Sequence, residues 1–420
     1  MPAKRGDPPS PSLSERPDDI PPDASSAAPL PPAVRRLGWI SFWTDIASEM
    51  TYPVVPLFLV SVLGAPALAL GAVEGVAEAV VSLMKGASGW ASDRIGRRAP
   101  FVRLGYAASA CAKPLLALAA AWPGVLAARS LDRLGKGLRT SARDALLADA
   151  VPARAAGRAY GFHRAMDTAG AMVGAMLALA LLHWLPGRYR TIFLLAALPG
   201  AAAVWLTLRL REARPAAAPR PAEAAPRRRL PAGYWRVFAP LVLFALANSS
   251  DTFLLLRARD LGLSDAAVLL AYVLYNAVYA ATAYPLGALS DRWGRWRMIL
   301  AGWGLYAAVY AGFAAAPAAG VWALFPLYGV YMGLTEGVGK ALIADQAPPD
   351  QRGRAIGLFQ MSLGFSALAS SLAAGALWDL LGPAAPFWAG GGMAALAALA
   401  LVLAAPWRSR PGAADRAARP

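Results

Sequence analysis

Two stretches of the sequence repeat one another: GWASDRIGRR at residues 89–98 and GALSDRWGRW at residues 287–296. Both place a glycine, an aspartate and several arginines in the same order, and they start 198 residues apart. A second pair, ALLADAVPARAAGRAYG at residues 145–161 and ALIADQAPPDQRGRAIG at residues 341–357, is offset by 196 residues. Two matches at nearly the same offset indicate an internal duplication, so we predict a chain of two equivalent halves.

The composition places both halves in a membrane. Of the 420 residues, 57% are hydrophobic and 16% are charged, whereas an ordinary soluble chain is roughly a quarter charged. Apolar stretches of about 20 residues recur along almost the whole sequence, and each is long enough to cross a hydrocarbon core of ~30 Å. These stretches exclude a soluble protein of two or three domains and predict an integral membrane protein with many spans.

The apolar windows between turn signals predict twelve helices, and therefore an all-α integral membrane fold of two six-helix pseudo-repeats. The first six predicted helices cover residues 37–62, 68–90, 99–121, 124–148, 157–184 and 190–210. The second six cover residues 235–257, 264–288, 297–316, 319–344, 354–380 and 385–406. The predicted organisation is a disordered tail at 1–34, halves at 35–210 and 234–407 joined by a Pro-, Ala- and Arg-rich linker at 211–233, and a tail at 408–420.

The net charge of +16 is distributed as in a membrane protein and not as in a nucleic-acid-binding protein. Arginines collect after predicted helices 2 and 8 and in the linker, while the turns after predicted helices 1, 3, 9 and 11 carry no Lys or Arg. By the positive-inside rule we expect the linker and both tails to be cytoplasmic. The predicted location is the cell inner membrane, as a multi-pass monomer in the lipid bilayer.

The repeated loop carries a resemblance to a known family. Its two copies consist of Gly89, Asp93, Arg94, Gly96, Arg97 and Arg98, and of Gly287, Asp291, Arg292, Gly294 and Arg295. This pattern resembles the cytoplasmic loop signature of the major facilitator superfamily, and with the twelve predicted helices the resemblance covers nearly the whole chain. It implies a secondary transporter in which two halves rock about a central cavity, and a gating role for the loops. A plain determinant of topology is the alternative for these loops.

Charged residues form one face of predicted helix 4, within a stripe about 140° wide. They are Arg129, Asp132, Arg133, Lys136, Arg139, Arg143 and Asp144. Because one charge near the bilayer centre costs at least ~2.5 kcal/mol, this face is expected to point into the protein; a cytoplasmic amphipathic helix is the alternative. Arg133-x-x-Lys136-Gly137 also resembles the superfamily's Arg-x-x-Gln-Gly pattern, which is linked to proton transfer, with a lysine in place of the glutamine.

Acidic side chains on the neighbouring helices are candidates for proton coupling. The candidates are Asp45, Glu49, Glu78 and Asp167, together with His163. A buried carboxylate that pairs with an arginine in one state only can take up and release a proton. The alternative is a static charge network that fixes helix packing. For Asp167 the question is whether it exchanges a proton or only holds an arginine of helix 4.

Substrate is expected to contact residues of both halves. The candidates are Arg129, Arg133, Lys136 and Arg139 in the first half, and Tyr272, Asn276, Glu336 and Gln360 in the second. The cations favour an anionic or zwitterionic small molecule, unless the acids of the first half neutralise them all. Substrate, protons and lipid are the predicted partners.

Gly161, Gly170 and Gly174 partly match the superfamily's helix 5 motif of antiporters, without its Gly-Pro pair. We expect these glycines to allow close packing across the interface of the halves. The predicted function is therefore proton-coupled efflux of a small organic solute. A proton symporter or anion exchanger that imports a metabolite is the first alternative, and a transport-inactive receptor or scaffold is the second.

Motifs of enzymes and cofactor sites are incomplete, so no enzymatic activity is predicted. His163 and Asp167 are one residue too close for the acyltransferase spacing, and EGVGKAL at residues 336–342 lacks the glycine spacing and Ser/Thr of a P-loop. One cysteine and two histidines provide no metal-ligand spacing. We expect no cofactor and no metal, and we expect Cys111 to pack in the core.

Overall fold

The structure is a computed structural model that describes residues 30–151, 156–210, 229–348 and 351–404. These ranges form fourteen α-helices. The first half contains α1 (Pro32–Thr51), α2 (Val55–Ser61), α3 (Ala67–Ile95), α4 (Ala99–Leu118), α5 (Trp122–Asp149), α6 (Ala156–Trp184) and α7 (Tyr189–Leu208). The second half contains α8 (Ala232–Ala247), α9 (Thr252–Asp260), α10 (Asp265–Trp293), α11 (Arg295–Ala315), α12 (Val321–Asp345), α13 (Arg352–Leu381) and α14 (Ala385–Ala404).

The same helix pairs pack together in both halves. In the first half α5 packs on α3 and α4, and α1 packs on α6 and α7; in the second half α12 packs on α10 and α11, and α8 packs on α13 and α14. The predicted all-α fold of two pseudo-repeats is therefore confirmed. In the first half, α5 lies between two neighbouring helices, and its equivalent α12 does so in the second half.

A continuous helix at residues 37–62 was a wrong prediction. The chain leaves the helix at Tyr52 and resumes it at Val55, so that α1 and α2 replace one helix. Pro53 explains the break, because proline has no backbone N–H and its ring clashes with the preceding turn. The proline was visible in the sequence, and the apolar run around it concealed its effect.

The helix predicted at residues 235–257 is also broken. Residues 248–251, with the sequence NSSD, separate α8 from α9. Short polar side chains offer the backbone alternative hydrogen bonds; the Ser250 hydroxyl here accepts from the Thr252 hydroxyl at 2.9 Å. The two breaks lie at equivalent positions of the two halves, about one repeat apart.

Two starts of the halves differ slightly from the prediction, and most of the tails and the linker lies outside the described ranges. Helix α1 begins at Pro32, before the predicted start of the first half at 35, and α8 begins at Ala232, before the predicted start of the second half at 234. Residues 1–29, 211–228 and 408–420, which hold most of the predicted tails and linker, are outside the described residues.

Nine helical segments of the described chain are long and apolar enough to cross a membrane by length and composition. The segments that do not reach this level are α1–α2, α4 and α5, and α5 carries the charged stripe. A helix of this kind is tolerated in a bilayer when its charges face other helices and not lipid. The exposed surface of the molecule fits that picture, since it carries large apolar side chains such as Leu118, Leu198, Leu380 and Leu403.

Cys111 belongs to this outer surface. Its side chain is exposed, and it lies on the same face of α4 as the exposed Leu104, Leu115 and Leu118. The expectation that Cys111 packs in the core was wrong, because an apolar run on a membrane helix has a lipid-facing side as well as a buried one.

The two halves meet most closely where α3 crosses α13. A Cβ on Gly71 would lie 2.1 Å from the Ser371 carbonyl oxygen, and a Cβ on Gly375 would lie 2.6 Å from the Ala67 carbonyl oxygen. A Cβ on Gly75 would lie 2.9 Å from the Leu368 Cα. Only glycine lets the two backbones approach this far, as in other small-residue helix contacts.

The ends of the helices define two sides of the molecule. We call the end that carries residues 93–98 and 291–295 the loop side, and the opposite end, where α3 and α10 begin, the far side. On the far side the Asp379 carboxylate of α13 accepts hydrogen bonds from the backbone N–H groups of Ala67 at 2.9 Å and Leu68 at 2.8 Å. The Tyr189 hydroxyl also hydrogen-bonds to Asp265 across the halves.

On the loop side the ends of α3 and α10 are exposed, with Trp90 and Trp293 each more than half accessible. The halves are therefore joined on the far side, and the repeated loops project from the other side.

Candidate functional site

A polar cavity lies beside the break between α1 and α2. It has a water-accessible volume of about 40 Å³, which is room for a few water molecules. Its lining comes from α1, the break and α5: Asp45, Ser48, Glu49, Tyr52, Arg129, Asp132, Arg133, Lys136 and Arg139. We call it the central cavity. The charged face of α5 therefore points into the protein, and the amphipathic alternative for this helix is wrong.

Part of the charge around the central cavity is held in fixed ion pairs. The Arg129 guanidinium binds both oxygens of Glu74, at 2.8 and 2.9 Å from Nη2. The Lys113 ammonium donates to Asp132 Oδ1 at 2.7 Å, and Arg129 Nη1 lies 3.7 Å from Asp132 Oδ2. All four side chains are buried. Buried ions need partners of this kind, so we assign them to the scaffold of the cavity.

Lys113 was missed by the sequence analysis. It lies on α4 in the apolar run ASACAKPLLAL, and its side chain is 2% exposed. A single ionisable residue inside a membrane span is a signal in itself. The charged stripe on α5 gives no sign in the sequence that its Asp132 has a partner on another helix.

Arg139 is held by neutral groups. Its Nη1 donates to the Ser109 hydroxyl at 2.6 Å, and its guanidinium lies 4.6 Å from the centre of the Tyr106 ring. No acidic side chain lies within ion-pair distance of Arg139 among the described residues.

Arg133 and Lys136 are the cations of the central cavity with unused capacity. The Arg133 Nε is buried and has no hydrogen-bond partner in the described part of the chain, and its guanidinium lies 5.9 Å from the Tyr52 ring. Lys136 is exposed, and within the described ranges its ammonium makes no ion pair shorter than 4.0 Å. These two groups can bind an anion that enters from outside the protein.

Two acids share the cavity with these cations. Asp45 interacts electrostatically with Lys136, Arg139 and Asp167, without an ion pair within 4.0 Å among the described residues. The Glu49 carboxylate accepts a hydrogen bond from the Tyr272 hydroxyl of the second half at 2.9 Å. Tyr272 therefore contacts an acid of the cavity wall without lining the cavity itself, and this hydrogen bond joins the two halves.

Glu78 does not line the cavity. It is exposed on α3, yet it is close enough to Arg133 and Lys136 to interact with both electrostatically. The Glu78 carboxylate therefore interacts with the cations of the central cavity, although it does not line the cavity.

His163 and Asp167 lie outside the cavity lining, on α6. His163 is buried, and its Nδ1 lies 3.5 Å from Asp167 Oδ2, which is too long for a good hydrogen bond. The His163 Nε2 and the Asp167 Oδ1 are buried without a partner within the described residues. Among the residues that the structure describes, the group within ion-pair distance of Asp167 is thus a histidine of its own helix and not an arginine of α5.

Two other candidates of the second half, Asn276 and Gln360, are not brought to the cavity wall. The Asn276 side chain donates to the Tyr272 carbonyl oxygen at 2.9 Å, so its amide is hydrogen-bonded within its own helix. Gln360 is half-buried on α13 and does not line the cavity. The side chain of Glu336, like those of Asp93 and Asp291, lies outside the described part of the structure.

Asp251 is a half-buried acid of the second half. It lies at the break between α8 and α9, where it accepts hydrogen bonds from the Tyr328 hydroxyl at 2.6 Å and the Tyr275 hydroxyl at 3.1 Å. The sequence showed the acid and the tyrosines, but not that the broken helix would bring them together.

The repeated loops bind the second repeated stretch. Arg98 forms an ion pair with Asp149 at the end of α5, and Arg295 forms one with Asp345 at the end of α12, at 2.7 Å. Gly96 and Gly294 have φ of +68° and +92°, a region that favours glycine. Arg94, Arg97 and Arg292 are exposed. The two aspartates are equivalent positions of the repeat, whereas the arginines differ by one position, since Arg295 aligns with Arg97 and Arg98 aligns with Trp296.

The glycines at the start of the two loops differ in their surroundings. A Cβ on Gly89 would lie 3.4 Å from Ser141 of α5, whereas a Cβ on Gly287 would have nothing within 4 Å. Close helix packing is therefore possible at Gly89 and is not a property of Gly287.

The α6 glycines pack within the first half. A Cβ on Gly170 would lie 2.4 Å from the Phe42 carbonyl oxygen, and one on Gly174 would lie 2.5 Å from that of Ile46. Both partners are on α1, and Gly161 has nothing within 4 Å of the same position. The expectation that these glycines pack across the interface of the halves was wrong; Gly71, Gly75 and Gly375 do so instead.

Comparison with known proteins identifies the family to which the chain is similar. The family model described as Major Facilitator Superfamily matches residues 37–256 and 238–420. An uncharacterized MFS-type transporter of Methanocaldococcus jannaschii is 34% identical over 373 residues, which cover 87% of this chain and 93% of that protein. An uncharacterized protein of Mycobacterium tuberculosis is 28% identical over 357 residues, covering 82% and 86% of the two chains.

Solved transporter structures share the fold at low sequence identity. The nucleoside transporter NupG has a TM-score of 0.74 at 12% identity, covering 89% of this chain and 100% of its own. A POT family transporter in complex with 5-aminolevulinic acid has a TM-score of 0.74 at 12% identity, covering 90% and 97%. An inward-facing, unoccupied bacterial homologue of the human lysosomal transporter Spinster has a TM-score of 0.66 at 16% identity, covering 89% and 95%.

Proposed function

Because the chain belongs to the major facilitator superfamily of membrane transporters, we propose that it exports a small organic solute with an anionic group in exchange for protons. The observation that carries this proposal is the central cavity, where Arg133 and Lys136 have unused binding capacity beside the acids Asp45 and Glu49. Expensive charges inside a membrane protein usually mark a pathway. Substrate and protons then compete for one field of charge.

The proton sites in this proposal are Asp45, Glu49 and Asp167, with Glu78 and His163 as neighbours. When the solute binds Arg133 and Lys136 and donates a hydrogen bond to the carboxylates nearby, those carboxylates must be ionised, so solute binding releases their protons. When the solute leaves, the carboxylates take up protons again. This reciprocity is a coupling free energy between the two sites, and it links solute movement to proton movement.

Orientation follows from the positive-inside rule. We place the loop side, the linker and both tails in the cytoplasm and the protein in the cell inner membrane, as a monomer. The far side then faces outward and is joined by Asp379, so the described state is inward-facing. In this state the loops have the gating role of holding α5 and α12 through Arg98 and Arg295.

We favour efflux over import because Gly161, Gly170 and Gly174 partly match the superfamily's motif of antiporters. Import by proton symport or anion exchange is the competing direction, and a scaffold without transport is the competing class.

The test uses proteoliposomes loaded with a defined mixture of carboxylates and aminocarboxylates. An acidic outer buffer should drive loss of at least one compound, measured by mass spectrometry, together with alkalinisation outside. Glu49→Gln keeps an acceptor for Tyr272 and should abolish the dependence on the pH gradient, as should Asp167→Asn.

The matched control is Asp144→Asn, since Asp144 binds Arg143 beside it on α5 at 2.9 Å and is outside the cavity lining; it should transport normally. Unaltered pH dependence in both Glu49→Gln and Asp167→Asn would reject the proton sites. Accumulation of a compound with the proton gradient would instead establish import, and the lack of flux for every compound would favour the scaffold.

A further inference from the structure

A cluster of arginines lies on the loop side, where α7 packs on both α1 and α4. It consists of Arg35 and Arg36 in the first turn of α1, Arg103 near the start of α4 and Arg209 directly after α7. We call it the basic patch. Arg35, Arg36 and Arg209 are exposed, and Arg103 is half-buried. None of the four lines the central cavity, so the proposed transport site does not use them.

Two of these guanidinium groups meet at the end of α7. The Arg36 Nη1 donates to the Arg209 carbonyl oxygen at 3.2 Å. Arg103 donates from Nη2 to the Leu210 carbonyl oxygen at 2.9 Å and from Nε to that of Thr207 at 3.3 Å. These carbonyl groups belong to one turn of chain, so two full positive charges are held close together. A guanidinium has five N–H donors, and these bonds use one donor of Arg36 and two of Arg103.

The basic patch has no acidic partner in the part of the chain that the structure describes. Helices α4 and α7 contain no aspartate or glutamate, and the first acid of α1 is Asp45, about 14 Å along the helix axis from Arg36. None of the four arginines forms an ion pair within 4.0 Å among the described residues. The partial negative charge at the end of α7 offsets only part of this charge. Because like charges repel one another, an anion bound at the patch would stabilise it.

Exposed aromatic and apolar side chains lie next to the patch, toward the middle of the membrane. Trp39 is one turn after Arg35 on α1, and Trp205 is one turn before Arg209 on α7, so each tryptophan is about 6 Å deeper than its arginine. The two tryptophans are 49% and 52% exposed, and Leu208 beside them is also exposed. Tryptophan is typical of the boundary between head groups and hydrocarbon. The arginines therefore lie at the level of the lipid head groups.

We propose that the basic patch binds the head group of an anionic phospholipid in the leaflet at the loop side, with its acyl chains along Trp39, Trp205 and Leu208. Guanidinium groups match the oxygens of a phosphate with paired donors. The exposed apolar surface next to them favours a lipid over a free phosphate ion, because only a lipid has chains to cover it. Basic pockets between membrane helices bind head groups in the same way.

A lipid in this position contacts three helices of the first half at once. Its head group touches the start of α1, the start of α4 and the end of α7, and it separates guanidinium groups that otherwise repel one another. The site is distinct from the central cavity, so the inference goes beyond the proposed transport and does not depend on its direction or its coupling.

The competing role for these arginines is structural, since Arg36 and Arg103 cap the last carbonyl groups of α7. Arg35 and Arg209 separate the two roles, because their guanidinium groups donate no hydrogen bond within the described ranges, so that Arg35→Gln and Arg209→Gln remove charge and leave the cap in place. The matched control is Arg188→Gln, which removes an exposed arginine from the opposite, far-side end of the same helix.

The experiment measures lipid binding to the full-length protein in detergent by native mass spectrometry. Dioleoyl phosphatidylglycerol is the anionic probe, and dioleoyl phosphatidylcholine, with the same chains, is the zwitterionic one. Wild type should bind the anionic lipid about tenfold more tightly or better. Arg209→Gln should weaken that binding about fivefold, and Arg35→Gln with Arg209→Gln about 25-fold, since each basic residue near an anionic surface contributes ~1 kcal/mol. Arg188→Gln should bind both lipids as wild type does.

Equal binding of the two lipids to wild type overturns the inference, as does equal weakening by Arg188→Gln and Arg209→Gln. Displacement of the anionic lipid by glycerol 3-phosphate, which has no acyl chains, would assign the patch to a soluble anion instead. Variants at Arg35 and Arg209 that unfold at a lower temperature without added lipid, and still bind the anionic lipid as wild type does, would make these arginines structural.

Discussion

At the scale of single residues, the first half separates its charges into paired and available groups. Two buried ion pairs are formed, Glu74 with Arg129 at 2.8 Å and Lys113 with Asp132 at 2.7 Å. The sequence alone could not distinguish these paired charges from charges that are available to substrate. Arg129 was a substrate candidate, yet its guanidinium is occupied by two carboxylates. A stripe of seven charged residues on one helix thus contains two different kinds of group.

Lys113→Met should destabilise the protein strongly, by about 3 kcal/mol or more, because it leaves the buried Asp132 with one distant partner. Asp132→Leu in the same chain should restore most of this loss, since the pair is then replaced by packed apolar groups. Thermal or denaturant unfolding of the single and double variants in detergent measures both effects.

Lys136→Met is the control, because its ammonium makes no ion pair within 4.0 Å in the described part of the chain. Equal destabilisation by Lys113→Met and Lys136→Met would show that the Lys113 pair is not a scaffold.

At the scale of helices, α3 and α13 form the closest contact between the two halves. The approach is set by Gly71, Gly75 and Gly375, whose missing side chains admit the opposite backbone. Gly71 and Gly75 are spaced as in a small-x-x-x-small motif, a signal for close helix packing that was present in the sequence. Its partner helix was not readable, because spacing within one helix does not identify the helix that fills the groove.

Gly75→Leu should force α3 and α13 apart, because its Cβ alone would stand 2.9 Å from the Leu368 Cα. Overpacking of this kind costs about 1–3 kcal/mol, and separating the halves on the far side relieves it. Spin labels at Val62 and Leu381, both exposed near the far side on opposite halves, should report a longer distance by pulsed electron paramagnetic resonance in a Cys111→Ser background.

Gly86→Leu is the matched control on the same helix, since a Cβ there has nothing within 4 Å. An unchanged distance in Gly75→Leu, or the same change in both variants, would show that the close approach at Gly75 does not set the separation of the halves.

At the scale of the whole molecule, the two halves are held together on the far side by a carboxylate at a helix start. Asp379 accepts from two N–H groups of the first turn of α3, groups that have no partner within their own helix. The positive end of the helix dipole strengthens this contact. It is made only when the far side is closed, so it biases the whole transporter toward the state described here.

Asp379→Asn should shift the balance toward a far side that is open by about tenfold, the effect of losing a hydrogen bond between a charged group and an N–H. The same Val62 and Leu381 spin labels should show a second, longer distance population. The rate of transport should change with that shift, while the ligand specificity stays the same.

Asp260→Asn should leave the distance distribution unchanged, because Asp260 pairs with Arg257 within α9. A distance distribution for Asp379→Asn that matches wild type would show that the Asp379 carboxylate does not hold the far side closed.

The sequence by itself determined the class of this protein and much of its plan. Apolar length and basic loops indicated a membrane bundle, and the repeats at residues 89–98 and 287–296 indicated two halves of the major facilitator type. The register of α5 predicted that Arg133 and Lys136 face the interior. These features are local or periodic, so the order of residues along the chain contains them.

Tertiary structure alone decided which charges remain available and which helices meet. Lys113 and Asp132 are 19 residues apart on different helices, Asp251 meets Tyr328 across 77 residues, and Asp379 meets Ala67 across 312. Such pairings depend on how broken and packed helices cross in space, because a charge acts over a few ångströms and not along the sequence. The central cavity and its available cations follow from those crossings.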